Sequence, residues 1–219
     1  TDDKENITDK ENITDKESLI VIEFPYLLDM INKGLFDLIY HEHLSYFSLT
    51  PLKFLFQKFD IKIVNFEKLN LGASGPAIRL FLSRNNSIYK TSKKVIKQIN
   101  YESKWGIKKM QKYETFKKIT KMKINKIKEI VNSKYEKGFK IGCFTASSKG
   151  NTLLNSLHLN KKIIKFASEN NSKKIGKFTP GSHIKIIKDE NFYKKKIDYA
   201  ILLSWNYKNF FLEKSEFIK

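Results

Sequence analysis

The chain has 219 residues, of which 41% are hydrophobic, and a net charge of +19, so it can bury a core and is neither wholly disordered nor collagen-like. No apolar run approaches the roughly 18 residues of a membrane span, and the acidic N-terminus does not resemble a secretory signal. A single cysteine, Cys143, excludes a disulfide framework and a zinc site built on several thiolates. We therefore expect a soluble, cytoplasmic protein without a membrane partner.

The positive charge is typical of biased codon usage rather than of nucleic-acid recognition. Of the 42 basic residues only Arg79 and Arg84 are arginine, whereas specific readers of nucleic acid depend on the guanidinium fork. A lysine-rich surface by itself gives non-specific, salt-sensitive attraction. We therefore predict no specific nucleic-acid partner, and a basic surface that binds nucleic acid is the alternative.

The first half of the chain begins with a tail and continues as alternating strands and helices. Residues 1–17 repeat with a period of six and hold few apolar side chains, which predicts disorder. Residues 19–24 form a β-branched run typical of a buried parallel strand. Residues 26–33 read as a helix that Gly34 ends, and residues 48–51 place a polar cap and a proline at the start of a helix over 52–59.

Two further strands and a long helical stretch follow. Residues 61–66 and 77–82 are the strands, and the glycines between them indicate a loop. Residues 91–136 form a lysine-rich helical stretch with apolar side chains three or four positions apart. That stripe favours a packed connector helix over one that lies on a membrane or meets a partner.

The last third of the chain alternates strands with helices or loops. The predicted strands are residues 139–144, 162–166, 184–187 and 198–203, with a helix over 151–158. This alternation predicts a small parallel α/β unit. Right-handed crossovers would bring the carboxyl ends of its strands, and the loops after them, to one edge.

The densest reactive cluster is the run Tyr40-His41-Glu42-His43. A carboxylate, an imidazole and a phenol can together remove and relay a proton near neutral pH. A solvated surface loop explains the same residues without chemistry. A metal held by His41 and His43 is a third interpretation, but no third ligand is evident, and we expect no metal.

Two other segments carry candidate binding residues. The turn that includes Ser148, Lys149 and Asn151 follows a strand and opens a helix, so its N–H groups and lysine suit an anion. An ordinary strand–helix turn explains it equally well. A rigid turn ends in His183, for which a structural histidine with satisfied hydrogen bonds is the first interpretation. Trp205 and Asn206 follow the last strand at the predicted edge.

These segments together resemble the S-adenosylmethionine-dependent C-methyltransferases of deoxysugar biosynthesis. The matching stretches run in family order from about residue 19 to the C-terminus: residues 23–30, 36–52, 72–82, 146–155, 178–184 and 199–207. The resemblance implies an α/β fold with a partial Rossmann-like methyltransferase domain, a helical connector and a small C-terminal Rossmann-like parallel α/β domain. The corresponding boundaries are a tail over 1–17, then 18–84, 85–137 and 138–219.

The resemblance also implies roles for individual residues. His43 matches the general base that removes a proton from a sugar carbon next to a keto group, and Tyr40 and Glu42 match assisting positions. Ser148, Lys149, Asn151 and His183 match the region that binds a nucleotide-sugar substrate. S-adenosylmethionine is the implied cofactor.

The chain departs from the family upstream of residue 23. The glycine-rich donor site and the zinc-binding cysteines of the family have no counterpart in residues 1–22. We therefore expect the chain alone to be inactive in methyl transfer, and the partner that would supply the missing N-terminal half is unknown. A non-catalytic module that binds a sugar nucleotide or a partner is the alternative function.

Overall fold

A computed structural model describes residues 16–72 and 75–214, so nearly all of the predicted tail over 1–17 lies outside the described residues. The chain divides into two compact units. Unit 1 comprises the described part of Thr1–Asp29 together with Tyr46–Met110, and unit 2 comprises Met30–Ser45 together with the described part of Gln111–Lys219. The segment Met30–Ser45, which holds the reactive cluster of the sequence, thus belongs to the same unit as the C-terminal α/β region.

Unit 1 is built on a three-stranded antiparallel sheet. Its strands are β1 (Ile20–Pro25), β2 (Ile61–Gly72) and β3 (Gly75–Arg84), in the order β1-β3-β2. The first strand was expected to be parallel and buried, and this was wrong. It pairs antiparallel with β3, and its side chains alternate between half-buried and exposed because only one face packs on the core.

Three helices contribute to unit 1, and the division between the units falls inside α1, after Asp29. They are α1 (Leu27–Lys33), α2 (Leu49–Gln57) and α3 (Lys93–Trp105). As predicted, Gly34 follows α1 with a φ of 62°. Ser48 was predicted to cap α2 with its side chain, but the Ser48 hydroxyl accepts no capping hydrogen bond. Glu102 of α3 caps this helix instead.

Glu102 is fully buried and accepts four hydrogen bonds. The donors are the backbone N–H groups of Leu49 and Thr50, each at 2.8 Å, the Thr50 hydroxyl at 2.5 Å and the Tyr26 hydroxyl at 2.7 Å. Gln98 in turn donates to the Tyr26 oxygen at 2.7 Å. Burial, together with the neighbouring Glu102, raises the pKa of Tyr26 far above its usual range. One carboxylate therefore ties α3 to the start of α2 and to the end of β1.

The long lysine-rich stretch divides into two helices that belong to different units. Gly106, with a φ of 91°, ends α3, and α4 (Met110–Glu136) begins four residues later. The apolar stripe of α4 packs as predicted, because Phe116, Ile124, Ile127 and Val131 contact the core of unit 2. Met110, the first residue of that stripe, is exposed.

Unit 2 holds the predicted parallel α/β structure. Its strands are β4 (Ile141–Phe144), β5 (Ile164–Glu169), β6 (Ile186–Lys188) and β7 (Tyr199–Leu202), all parallel and in the order β6-β5-β4-β7. The helices α5 (Ser148–Ser156), α6 (Asp189–Tyr193) and α7 (Lys208–Lys214) join α4, with short 3₁₀ turns at Phe36–Leu38 and Trp205–Tyr207. The mixed α/β fold class is confirmed. None of the helices in the described ranges is long and apolar enough to cross a membrane.

Candidate functional site

The topology of unit 2 predicts where a ligand would bind. The chain runs from β4 outward to β5 and β6, then returns to place β7 on the opposite side of β4. In open parallel sheets, ligands bind beyond the carboxyl ends of the strands at the point where the strand order reverses. Here that point lies between β4 and β7, where Ser204 donates its backbone N–H to the Thr145 hydroxyl at 3.0 Å.

The turn after β4 leads into α5 through a strained residue. Thr145 has a φ of 67°, a conformation that β-branched residues rarely adopt. Ser147 then caps α5, because its hydroxyl accepts from the backbone N–H of Gly150 at 3.2 Å. A Cβ on Gly150 would lie 2.6 Å from the Leu203 Cβ, so glycine lets the first turn of α5 approach the end of β7.

Lys149 lies in the first turn of α5 and is only 5% exposed. Its ammonium donates to the Asn206 Oδ1 and lies 4.5 Å from the centre of the Trp205 ring. Burial lowers the pKa of Lys149 to about 8, and the nearby Asp37 carboxylate partly opposes this effect. Lys149 is therefore mostly charged at neutral pH and loses its charge as the pH rises through about 8.

Two amide atoms beside Lys149 are buried without a hydrogen-bond partner among the described residues. They are the Asn206 Nδ2 donor and the Asn151 Oδ1 acceptor. Buried polar atoms in native structures nearly always have partners, so these two atoms can still accept a hydrogen bond from, or donate one to, water or a ligand. The end of β7 and the start of α5 thus present an unused donor, an unused acceptor and a buried ammonium.

The reactive cluster Tyr40–His43 follows the 3₁₀ turn in the same unit. The Nδ1 atom of His43 lies 2.8 Å from the carbonyl oxygen of Leu38. Because a carbonyl only accepts, Nδ1 carries the hydrogen, and Nε2 is the nitrogen of neutral His43 that can take up a proton. The Tyr40 ring lies 4.4 Å from the His43 ring, centre to centre.

The structure brings the cluster and the start of α5 together. The Ser148 hydroxyl donates to the Glu42 carboxylate at 3.3 Å, and the Thr152 hydroxyl donates to the carbonyl oxygen of Ile39 at 3.3 Å. Residues more than a hundred positions apart in the chain therefore form one polar surface. Among the predicted site residues, Glu42 and Ser148 make this contact. Tyr40 and His43 lie in the same segment as Glu42, the buried Lys149 follows Ser148, and Asn151 lies about one turn after Ser148 in α5.

Comparison with known proteins assigns the chain to a family. The family model described as the C-methyltransferase C-terminal domain matches residues 72–219, which include α5 and the strand-order reversal. The chain belongs to the C-methyltransferase family. The C-methyltransferase NovU of Streptomyces niveus is 31% identical over 189 residues, which cover 86% of this chain and 44% of NovU. The chain thus spans less than half the length of the curated relative that it matches.

His183 stands apart from the other predicted site residues of this C-methyltransferase chain. It lies in a turn held by the Thr179 hydroxyl, and its φ is 51°. This turn reaches α5 through Asn155, whose amide donates to the carbonyl oxygens of Pro180 at 3.1 Å and of Asn151 at 2.8 Å. Asn155 therefore lies between the exposed His183 and the first turn of α5.

Sequence reasoning missed Asp37 in this C-methyltransferase chain. Asp37 is buried, and its carboxylate accepts from the Trp205 indole N–H at 2.5 Å. The available signal was an acidic residue inside an apolar run directly before the reactive cluster. Its partner lies 168 residues away, so only the folded unit shows why a carboxylate is placed there.

The other features of the C-methyltransferase chain do not compete as a reaction site. A cavity of about 310 Å³ in unit 1 is lined by α2, β2 and α3, with Lys53, Lys62 and Asn85 around several isoleucines. It holds no imidazole or carboxylate, and so no general base suited to neutral pH. Across residues 16–72 and 75–214, no three histidine, cysteine or acidic side chains are grouped as metal ligands.

Proposed function

We propose that this chain carries the base and the substrate site of a sugar C-methyltransferase. The substrate would be a deoxysugar linked to a nucleoside diphosphate and bearing a keto group. The carbon next to that keto group loses a proton before it accepts a methyl group. The single observation that carries this proposal is the contact between the His43 segment and the first turn of α5, made by Glu42 and Ser148.

His43 is the proposed general base. The hydrogen bond from its Nδ1 to Leu38 orients the ring and makes Nε2 the basic nitrogen of the neutral imidazole. The C–H bond breaks, the proton moves to Nε2, and the electron pair of that bond forms an enolate whose charge is on the former keto oxygen. Tyr40, whose ring contacts the imidazole at a tilt of 49°, and Glu42, held by Ser148, would orient the base or stabilise the developing charge.

The start of α5 is the proposed site for the diphosphate. Its N–H groups and positive dipole end favour an anion, and Lys149 adds a charge. Ser148, Asn151 and the unused Asn206 Nδ2 are the further polar groups at hand. His183 stays a predicted substrate contact on the far side of Asn155.

S-adenosylmethionine is the methyl donor that the family implies, and the cavity of unit 1 does not fit it. The donor carries a sulfonium cation, whereas the cavity of unit 1 is lined by two lysines and no carboxylate. We therefore derive no step through the donor and propose that this chain by itself does not transfer methyl groups. We also propose domain boundaries at residues 17, 84 and 137, and a nucleotide sugar as the partner of this chain.

Proton exchange tests this proposal without a methyl donor. The chain is mixed with a nucleoside diphosphate-linked keto-deoxyhexose in D₂O, and loss of the proton signal next to the keto group is followed by NMR. We expect catalysed exchange by the wild type and loss of at least about a hundredfold in rate for His43→Gln, which lacks the base. Exchange that persists in His43→Gln would rule out His43 as the base.

His41→Gln is the matched control. The His41 side chain is 82% exposed and lies two residues before His43 in the same segment. We expect its exchange rate to stay within about twofold of the wild type. Equal loss of exchange in both variants would show that the segment, rather than the base, had been damaged.

A non-catalytic module that binds a sugar nucleotide is the second candidate. The observations that favour it are the cavity of unit 1, which is lined by lysines and no carboxylate, and the unused amide atoms beside Lys149. Calorimetric titration with thymidine diphosphate separates the two candidates when it is combined with the exchange assay. Binding with exchange supports the base, and binding without exchange supports the module.

A further inference from the structure

Trp205 makes two contacts in unit 2 that have no role in the proposed reaction so far. Its indole N–H donates to Asp37, and its ring face lies against the Lys149 ammonium. Trp205 follows β7, at the strand-order reversal. Asp37 lies in the 3₁₀ turn Phe36–Leu38, just before the reactive cluster. One indole therefore joins the proposed diphosphate site to the segment that holds the proposed base.

The hydrogen bond from Trp205 ends on the turn that orients His43. Leu38 follows Asp37, and the Leu38 carbonyl accepts the hydrogen of the His43 Nδ1. Free neutral imidazole carries its hydrogen on either nitrogen, and the partner of one nitrogen decides which is protonated. A change in the orientation of Leu38 would therefore change both the ring position and the nitrogen that acts as a base.

The anchor itself is built to be rigid. The Asp37 residue is 6% exposed, and all three residues of its turn are buried, with Phe36 in the core of unit 2. A short hydrogen bond to a buried carboxylate is stronger than one between neutral groups. The Ile39 carbonyl, just beyond the turn, accepts from Thr152 of α5. These contacts hold the turn from both sides.

We propose that Trp205 is a positioning residue for His43, acting through Asp37 and the Leu38 carbonyl. It does not touch the reacting carbon. Its part is to keep the 3₁₀ turn in the orientation in which Nε2, rather than Nδ1, is the basic nitrogen. This inference rests on the proposed function only for its catalytic consequence, since the hydrogen position on His43 is a property of the unliganded chain.

The test measures the His43 tautomer in chain labelled with ¹⁵N-histidine. In the wild type we expect the hydrogen mainly on Nδ1. Trp205→Phe keeps an aromatic ring beside Lys149 and removes the N–H, so we expect the ratio of the Nδ1–H to the Nε2–H form to fall at least about fivefold. An unchanged ratio in a folded Trp205→Phe chain would overturn the proposal.

Two Asp37 variants provide an independent test if Trp205→Phe does not fold. Asp37→Asn retains an acceptor oxygen for the indole, and we expect a tautomer ratio within about twofold of the wild type. Asp37→Leu removes the acceptor, and we expect the same shift as in Trp205→Phe. Equal ratios in the two Asp37 variants would contradict the proposal, and circular dichroism identifies any variant that is unfolded.

The exchange assay in D₂O separates this inference from the proposed function. If the wild type catalyses exchange, Trp205→Phe should lower the rate at saturating substrate about tenfold, because small misplacements of a catalytic group are costly. The apparent KM should change less than twofold. If the tautomer shifts in Trp205→Phe but the wild type catalyses no exchange, Trp205 positions His43 and His43 is not the general base. If Trp205→Phe lowers the exchange rate without changing the tautomer ratio, the proposal that Trp205 positions His43 is wrong.

Discussion

The two units each bury a charged side chain, and the surroundings of the two charges differ. In unit 1, Glu102 accepts from four donors, and no oxygen of that carboxylate is left without a partner. In unit 2, Lys149 lies beside two amide atoms without partners in the described part of the chain, and burial lowers its pKa. A fully satisfied buried charge holds a fold together, whereas a half-satisfied network leaves polar atoms that water or a ligand can still bind.

The largest expected effect comes from removing the charge in unit 1. Glu102→Ala leaves two backbone N–H groups and two hydroxyls without their acceptor, so we expect the free energy of unfolding to fall by about 3–5 kcal/mol. Urea denaturation followed by circular dichroism measures it. Glu67→Ala is the control, since Glu67 is exposed and lies 3.5 Å from Arg79; we expect a loss below about 1 kcal/mol. Similar losses of stability in both variants would contradict the prediction that Glu102 stabilises unit 1 through its buried hydrogen bonds.

The charge in unit 2 is expected to appear in the pH dependence of stability. The pKa of Lys149 is about 8 in the folded chain and is ordinarily 10.5, so between these values the unfolded chain binds a proton that the folded chain does not. The wild type should therefore gain stability relative to Lys149→Met as the pH rises from 8 to 10.5. The gain is at most about 1.4 kcal/mol per pH unit. Denaturation of both chains across this range measures it, and a constant difference would show that Lys149 keeps its ordinary pKa.

Ligand affinity is the next effect in size. The proposed diphosphate site needs Lys149 in its charged form, which is lost as the pH rises through about 8. We expect the affinity for thymidine diphosphate to fall about tenfold between pH 7 and pH 9, as the charged fraction does. Isothermal titration calorimetry measures it, with Lys149→Met as a chain whose weaker binding should not depend on pH in this range. A parallel fall in both chains would assign the effect to another group.

The smallest expected effect concerns the thiol in the core of unit 2. Cys143 is fully buried in β4, and burial raises the pKa of its thiol far above the usual range. We expect no reaction with a thiol reagent in the folded chain and full reaction in denaturant. The absorbance of the released chromophore measures it. Rapid labelling of the folded chain would show that the sheet of unit 2 opens readily.

Local pattern alone determined most of the elements. Alternation of strands with helices predicted the parallel sheet of unit 2, and the apolar spacing in α4 predicted the face that packs. Gly34 marked the end of α1 as expected. These features depend on residues close together in the chain, which is why periodicity and turn residues report them.

Only the tertiary structure decided how distant segments combine. The antiparallel pairing of β1 depends on β3, and the cap of α2 comes from Glu102, some fifty residues away, rather than from Ser48 beside it. The sequence alone offered no reason for an acidic residue at Asp37; in the folded chain its carboxylate accepts the hydrogen bond from the Trp205 indole. Sequence reasoning selected Tyr40, Glu42 and His43 as reactive, and Ser148 and Lys149 as anion-binding. Their assembly at one edge depends on long-range contacts, and no local pattern encodes the distance between segments so far apart in the chain.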